Sequence, residues 1–179
     1  MRKLVTFFTG LALVCMATTT VAFEPDPNDE SQLSAAKAIL DIKKADPGIQ
    51  SFFDDAAGFA VFPSVGKAGI GIGGALGDGL VIVDDDVVGK TSLTQLTIGF
   101  QLGGQVYSEF IFFKDKTALE QFKRGNYELG AQASAVAATA GASADTNYDK
   151  GVAVFTVTGG GLMYEATVGG QKFTYEAVK

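Results

Sequence analysis

The most informative pattern in this chain is a strict alternation of aliphatic residues and glycines over residues 68–73. A period of two is typical of a β-strand, and here it gives one bulky face and one bare face. A bare face allows close approach by another strand of a tightly curved sheet, by a ligand or by a membrane. The aliphatic set is Ala68, Ile70 and Ile72, and the glycine set is Gly69, Gly71 and Gly73.

Further short apolar runs lie on both sides of this segment. Each is bounded by glycine or aspartate, which predicts short strands joined by turns. Residues 127–140 are ambiguous, because their alanines favour a helix whereas the alternation of small and polar residues favours a strand; we favour the strand. The predicted strands are 59–62, 68–75, 80–83, 93–102, 106–113, 152–157, 162–168 and 172–176.

Residues 31–45 have the spacing of an amphipathic helix, which Asp46-Pro47-Gly48 is expected to end. Residues 49–57 are predicted to form a second short helix or a turn that carries Phe52 and Phe53 into the core. The first helix is predicted to place Leu33, Ala36, Ile39 and Leu40 on an apolar face and Lys37, Asp41 and Lys44 on a polar face.

Another helix is predicted for residues 116–124, because Asp115 can cap its start and Gly125 can end it. The elements together predict an α+β fold. Its centre is a strongly curved antiparallel sheet or barrel-like sheet, with an N-terminal helix and one further helix. The length fits a single compact domain.

The amino terminus predicts an export signal over residues 1–22. Arg2 and Lys3 precede an apolar stretch, and Thr20-Val21-Ala22 supplies small residues for cleavage. Residues 23–30 are then a flexible acidic leader, residues 31–179 the folded domain, and the expected location is periplasmic or secreted. Two alternatives are an uncleaved membrane anchor and lipidation at Cys15, although Val14 stands where lipidation sites usually carry a small residue.

Composition narrows the chemistry. The chain has no histidine, and Cys15 is its single cysteine, so imidazole catalysis, thiolate catalysis and the usual zinc sites are excluded after cleavage. We therefore expect no enzymatic activity, no metal and no cofactor. Removal of Arg2 and Lys3 changes the net charge from −6 to −8, since 12 basic and 20 acidic residues then remain. This charge argues against a nucleic-acid partner.

Three short motifs resemble nucleotide-, phosphate- or calcium-binding sites but lack the neighbouring residues or elements that such sites need. Glycines 69, 71 and 74 match a dinucleotide fingerprint, but no helix is predicted to follow them. Gly89-Lys90-Thr91 lacks the earlier glycine of a phosphate-binding loop. Asp84 to Asp86 are interpreted as a solvated hairpin tip rather than a calcium loop, with weak divalent-cation binding as a minor alternative.

Glu109 lies within an aromatic strand, where burial would raise its pKa. We expect it to face solvent or to pair with a lysine. The aromatic residues around it, together with Phe52 and Phe53, are expected in the core rather than in a membrane.

Four ordered blocks, residues 59–69, 98–105, 127–134 and 159–163, resemble the SYLF domain family. The resemblance covers roughly residue 31 to the end. It implies a non-catalytic lipid-binding module: eukaryotic members bind phosphoinositides, some yeast members also bind and bundle actin, and bacterial members are mostly exported.

The resemblance also suggests where lipid would bind. Lys67 lies in its first block beside Gly66 and Gly69, whose amides could meet a phosphate. The second candidate patch is Lys37, Lys43 and Lys44 on the first helix. We expect contact with membrane phospholipid through this helix and a turn at Lys67. The alternative is a structural or protein-interaction module with an envelope protein as its partner. Actin binding is a third hypothesis.

Overall fold

The computed structural model describes residues 23–130, 136–137 and 139–178; the predicted signal segment lies outside these residues. Within these described ranges, three α-helices and five β-strands form an α+β fold, which confirms the predicted fold class. In chain order they are α1 (Glu30–Ala45), α2 (Gln50–Asp55), β1 (Gly58–Val83), β2 (Asp86–Phe113), α3 (Lys116–Phe122), β3 (Tyr127–Leu129), β4 (Val136–Ala137) and β5 (Val152–Ala177).

One sheet contains all five strands. Its order is β1-β2-β5-β3, with antiparallel pairing throughout this path, and the short β4 runs parallel to β5. Most predicted turns within β1, β2 and β5 are wrong, because each of these strands continues through its glycine-rich centre. Glycine alternating with other residues keeps the backbone extended and paired, so the glycines bend the strands without ending them.

The long strands curl back on themselves. A straight strand of 26 residues would extend roughly 85 Å, far beyond the width of a domain of this size. A Cβ placed on Gly58 would lie 2.8 Å from Val83 Cγ2, and one on Gly79 would lie 2.4 Å from the Val61 carbonyl oxygen. The two ends of β1 therefore lie against each other, and the predicted strong curvature is confirmed.

The sheet separates two hydrophobic clusters. The outer face packs against α1 and α2, where Phe52, Phe110 and Phe112 are buried. The inner face, enclosed by the curl, packs with Leu119 and Phe122 of α3. The prediction that these aromatic residues belong to the core is confirmed.

Helix α1 lies in the predicted place but shows a different face to the core. Its buried residues are Ala35, Ala38, Ile39 and Ile42, so the prediction is right for Ile39 and wrong for Leu33 and Leu40, which are exposed. The small alanines let the helix backbone approach the sheet closely. This packing favours their face over the one that carries the leucines.

The capping residues and glycines in the sequence predicted the helix ends correctly. Asp115 accepts a hydrogen bond from the Ala118 amide at 2.9 Å, and Gly125 has a φ of +79°, so both predicted boundaries of α3 are confirmed to within two residues. Asp29 caps α1 by accepting bonds from the Ser31 and Gln32 amides. In the predicted leader, Phe23 is buried against the outer cluster; the mobility of this leader stays a prediction.

Candidate functional site

The outer face of the curled sheet carries an exposed row of aliphatic side chains. Leu96 pairs across with Gly74, and Ile72 and Leu76 flank this glycine on the same face of β1. Ile70, Ile72, Leu76 and Leu96 are 80%, 64%, 66% and 63% exposed. We call these four residues the apolar strip.

The apolar strip continues a face that is buried farther along. Leu76 alternates with Leu80 and Ile82 on β1, and both of these later residues are buried in the outer cluster with α1 and α2. The helices therefore cover one part of the outer face and leave the glycine-rich bend uncovered. Grouped exposed aliphatic side chains of this size are typical of interaction surfaces.

Helix α1 presents a second exposed stripe. Leu33, Lys37, Leu40 and Lys44 are spaced by four, three and four residues, which places them along one side of the helix. Leu33 and Leu40 are 44% and 39% exposed, and both lysines are exposed. We call this set the leucine–lysine stripe.

The predicted lysine patch on α1 is divided between two sides. Lys37 and Lys44 belong to the stripe, and Lys37 pairs with Asp41 at 2.6 Å. Lys43 instead lies over the Phe53 ring, 4.5 Å from its centre. Burial lowers the pKa of Lys43, against the opposing effect of Asp54 and Asp85. Lys43 therefore faces a local acidic region rather than the outer solvent.

The predicted site around Lys67 lies within β1 and not in a turn. Gly66 is on the outer face, the same face as the apolar strip, and a Cβ there would meet nothing within 4 Å. Lys67 and Gly69 alternate with it and face the inside of the curl. Lys67 is half-buried and acts electrostatically on Glu109. The structure thus separates Gly66 from Lys67 and Gly69.

Glu109 lies inside the curl, so the expectation that it faces solvent is wrong. Its side chain accepts a hydrogen bond from Gln171 Nε2 at 2.8 Å, which joins β2 to β5. Its second carboxyl oxygen has no partner among the described residues. Burial raises the pKa of Glu109 to about 7, partly opposed by Gln171 and Lys67, and the predicted direction of this shift is confirmed.

The three short motifs that the sequence analysis rejected as binding sites lie in ordinary strands and a turn. The glycines of the dinucleotide pattern and Gly89-Lys90-Thr91 lie within β1 and β2. Asp84 and Asp85 have φ values of +50° and +67° and form the tight turn between these strands. Among the described residues, no cluster of acidic side chains has the arrangement of a metal site. The helices of this part of the chain include none with the length and hydropathy needed to cross a membrane.

Comparison with known families tests the resemblance. The Ysc84 family, described as "Las17-binding protein actin regulator", matches residues 94–177, which run from β2 to the end of β5. Residues 94–177 thus match the Ysc84 (SYLF) family. The resemblance predicted from the sequence blocks is therefore confirmed. Members of this family are non-enzymatic binding domains of a lipid-binding or actin-regulator type.

A curated relative extends the match toward the amino terminus. The chain is 25% identical over 142 residues to "Beta cell expansion factor A" of Aeromonas veronii, an alignment that covers 78% of this chain and 53% of the relative. The chain thus spans about half the length of that relative. The family match itself includes Leu96 and Glu109 but neither α1 nor Lys67.

Sequence reasoning missed both exposed surfaces for one reason. It identified the bulky face of residues 68–74 but could not say whether that face was covered. The exposed spacing of Leu33 and Leu40 with the two lysines was also visible, yet leucines on a helix usually face a core. The helix could have packed on the sheet through its leucines or through its alanines. The structure shows the alanine face against the sheet, which leaves the leucines exposed.

Proposed function

We propose that this SYLF domain is a non-catalytic module of the bacterial envelope that binds the surface of a phospholipid membrane. The apolar strip carries the proposal. It consists of large aliphatic side chains on a sheet face that none of the described residues covers, supported by a second exposed surface on α1. Family membership supports the general lipid-binding type, and the basic and apolar amino-terminal signal supports export.

The leucine–lysine stripe favours a bilayer as the occupant of these surfaces. At a membrane surface, leucines reach the acyl boundary while lysines extend their ammonium groups to the phosphates. Lys37 and Lys44 alternate with Leu33 and Leu40 in this manner. A protein partner with a flat apolar surface would gain nothing from lysines interleaved along the same line.

Apolar contact is expected to contribute more than charge. Complete burial of an aliphatic side chain stabilises by about 1.5–3 kcal/mol, so partial insertion of four such residues amounts to several kcal/mol. The cations contribute less, because Lys37 is paired with Asp41 and Lys43 faces Asp54 and Asp85. In this proposal Gly66 lies at the membrane-facing side, while Lys67 and Gly69 support the bend from within.

Vesicle co-sedimentation with Ile72→Asp and Leu96→Asp tests the proposal. Each change should weaken binding to phosphatidylcholine–phosphatidylglycerol vesicles by about tenfold or more, because a carboxylate must leave water to insert. The matched control is Val178→Asp, since Val178 is also an exposed aliphatic residue (47%) but follows the far end of β5. Unchanged binding by both strip variants would overturn the proposal.

A protein-interaction role is the second candidate, favoured by the description of the matched family as a Las17-binding actin regulator. It predicts co-sedimentation with filamentous actin, or capture of a defined envelope protein, without preference for any lipid. Measuring actin and vesicle binding on the same preparation distinguishes the two functions. Binding to actin alone would favour the second.

A further inference from the structure

We propose that a cavity between α1 and the sheet binds a neutral, hydroxyl-rich group such as a sugar or another polyol. This inference rests on the proposed function in one respect: it places the group beside the membrane-facing strip. The cavity has a volume of about 570 Å³, within the range of roughly 300–1,000 Å³ that small-molecule sites occupy.

The floor of the cavity is built by strand register. Asp78 pairs with Ser92, and Ser92 pairs with Thr174, so these three side chains form a row across β1, β2 and β5. Lys90 and Glu176 belong to the neighbouring row. The first turn of α1 and the start of β1 supply the opposite wall through Ser31, Ser34, Pro63 and Ser64.

Hydroxyl groups dominate this lining. The Ser92 and Thr174 hydroxyls are 2.6 Å apart, and the Thr174 hydroxyl also accepts a bond from the Ser92 amide. A hydroxyl can both donate and accept, as can each hydroxyl of a polyol, so the two sets are complementary. The lining residues with hydroxyls open to a ligand are Ser31, Ser34, Ser64, Ser92 and Thr174, whereas the Thr91 hydroxyl donates to the Thr174 carbonyl oxygen at 2.7 Å.

The charges select for a neutral ligand. Asp78 and Glu176 provide two carboxylates, whereas Lys90 is the one basic residue among the lining side chains described. A phosphorylated headgroup would meet net negative charge here. Carboxylates accept hydrogen bonds from neutral sugar hydroxyls without that repulsion.

The cavity lies next to the apolar strip, which connects the proposed ligand to lipid. Leu76 lies two residues from Asp78 on the same face of β1, about 7 Å along the strand, and Leu96 follows Ser92 by four residues on β2. A headgroup in the cavity would therefore have its acyl chains beside the apolar strip. A free sugar could occupy the same cavity, so the experiment must separate these two sources.

The first arm uses the purified protein with its naturally processed amino terminus. Binding to phosphatidylcholine vesicles is compared with binding to vesicles in which one lipid in five is glucosyl diacylglycerol. We expect the glycolipid to tighten binding by roughly five- to tenfold, the effect of one or two added hydrogen bonds. The double variant Ser92→Ala with Thr174→Val should lose this gain, as should Ser34→Phe, which fills the cavity from α1.

Thr94→Val is the matched control, because Thr94 is exposed on the same face of β2 but lies outside the cavity lining. It should keep the ratio between the two vesicle types. The second arm titrates methyl glucoside and follows the amide resonances of Ser92 and Thr174. Shifts at these amides, absent in Ser34→Phe, would establish the cavity for the free sugar.

The outcomes separate the two proposals. Equal binding to both vesicle types, with no shift by methyl glucoside, overturns the polyol site and leaves membrane binding standing. Shifts by methyl glucoside without binding to any vesicle support the polyol site and overturn membrane binding. Absence of both signals overturns both proposals.

Discussion

At the scale of single residues, Glu109 is unusual because it is an ionisable side chain buried among the hydrophobic residues inside the curl. Its strand neighbours Phe110 and Ile111 are fully buried, yet Glu109 itself is only 1% exposed and keeps one carboxyl oxygen without a partner among the described residues. A buried carboxyl group avoids ionisation because desolvation disfavours its charged form. Its bond from Gln171 tethers β2 to β5 across the curl.

This environment makes stability depend on pH. The folded pKa of about 7 exceeds the ordinary value of 4.5, so the folded state retains a proton that the unfolded state has released. The free energy of unfolding should therefore be highest below pH 4.5 for this group and fall as pH rises to 7. A shift of this size corresponds to roughly 3 kcal/mol.

Glu109→Gln removes this titration while keeping the shape of the side chain. At pH 8 the variant should be more stable than the wild type by up to about 3 kcal/mol, and near pH 4 the two should be similar. Urea unfolding at both pH values measures the difference. Glu128→Gln, an exposed change in β3, is the control and should leave the pH profile as it is; an unaltered profile for Glu109→Gln would contradict the account.

Gly79 is a second residue whose identity the curl requires. An alanine methyl group there would lie 2.4 Å from the Val61 carbonyl oxygen and 2.7 Å from Phe62 Cδ1, so the two ends of β1 would have to separate. Gly79→Ala should cost about 1–3 kcal/mol in urea unfolding. Gly66→Ala in the same strand has open space around its new methyl group and should change stability by no more than about 0.5 kcal/mol. Equal losses at both positions would contradict this packing.

At the scale of elements, local signals predicted where helices begin and end more reliably than where strands do. Asp115 and Gly125 act through bonds to nearby backbone groups, so their effect is visible in the sequence. Gly69 and Gly103 look like turn residues, yet they pair with each other inside β1 and β2. Whether a glycine bends a strand or ends it depends on the neighbouring strand, which a local pattern does not contain.

The leucine–lysine stripe yields a prediction about α1. Leu33→Ser with Leu40→Ser should weaken vesicle binding about tenfold, while stability changes by less than about 1 kcal/mol because both leucines are already well exposed. Lys37→Gln with Lys44→Gln should keep binding to neutral vesicles and lose only the preference for anionic ones. Vesicle co-sedimentation and thermal unfolding measure these effects. The reverse ranking of the two double variants would show that charge, not apolar contact, carries binding by α1.

At the scale of the whole molecule, the curl brings together residues that are far apart in sequence. It joins Glu109 to Gln171, and it sets Ser64 opposite Asp78 and Thr174 around one cavity. The sequence predicted the curved sheet from its alternating pattern, and it predicted the resemblance to the SYLF family from four ordered blocks. It did not predict the apolar strip or the cavity, since these depend on which part of the outer face α1 covers.

Net charge supplies a test of how the whole molecule meets a membrane. The predicted exported chain carries −8, and the cations nearest the exposed surface are few and partly paired. Binding driven by clustered lysines would decline steeply with salt, because ions screen exposed charges within about 10 Å at 0.1 M. Burial of the apolar strip has no such dependence. The affinity for phosphatidylcholine vesicles should therefore change by less than about twofold between low and high salt.

The anionic lipid content provides the control for this salt series. With phosphatidylglycerol present, Lys44 and Lys37 should add a modest attraction that disappears at high salt, leaving the affinity measured on neutral vesicles. A tenfold loss on neutral vesicles at high salt would contradict apolar insertion.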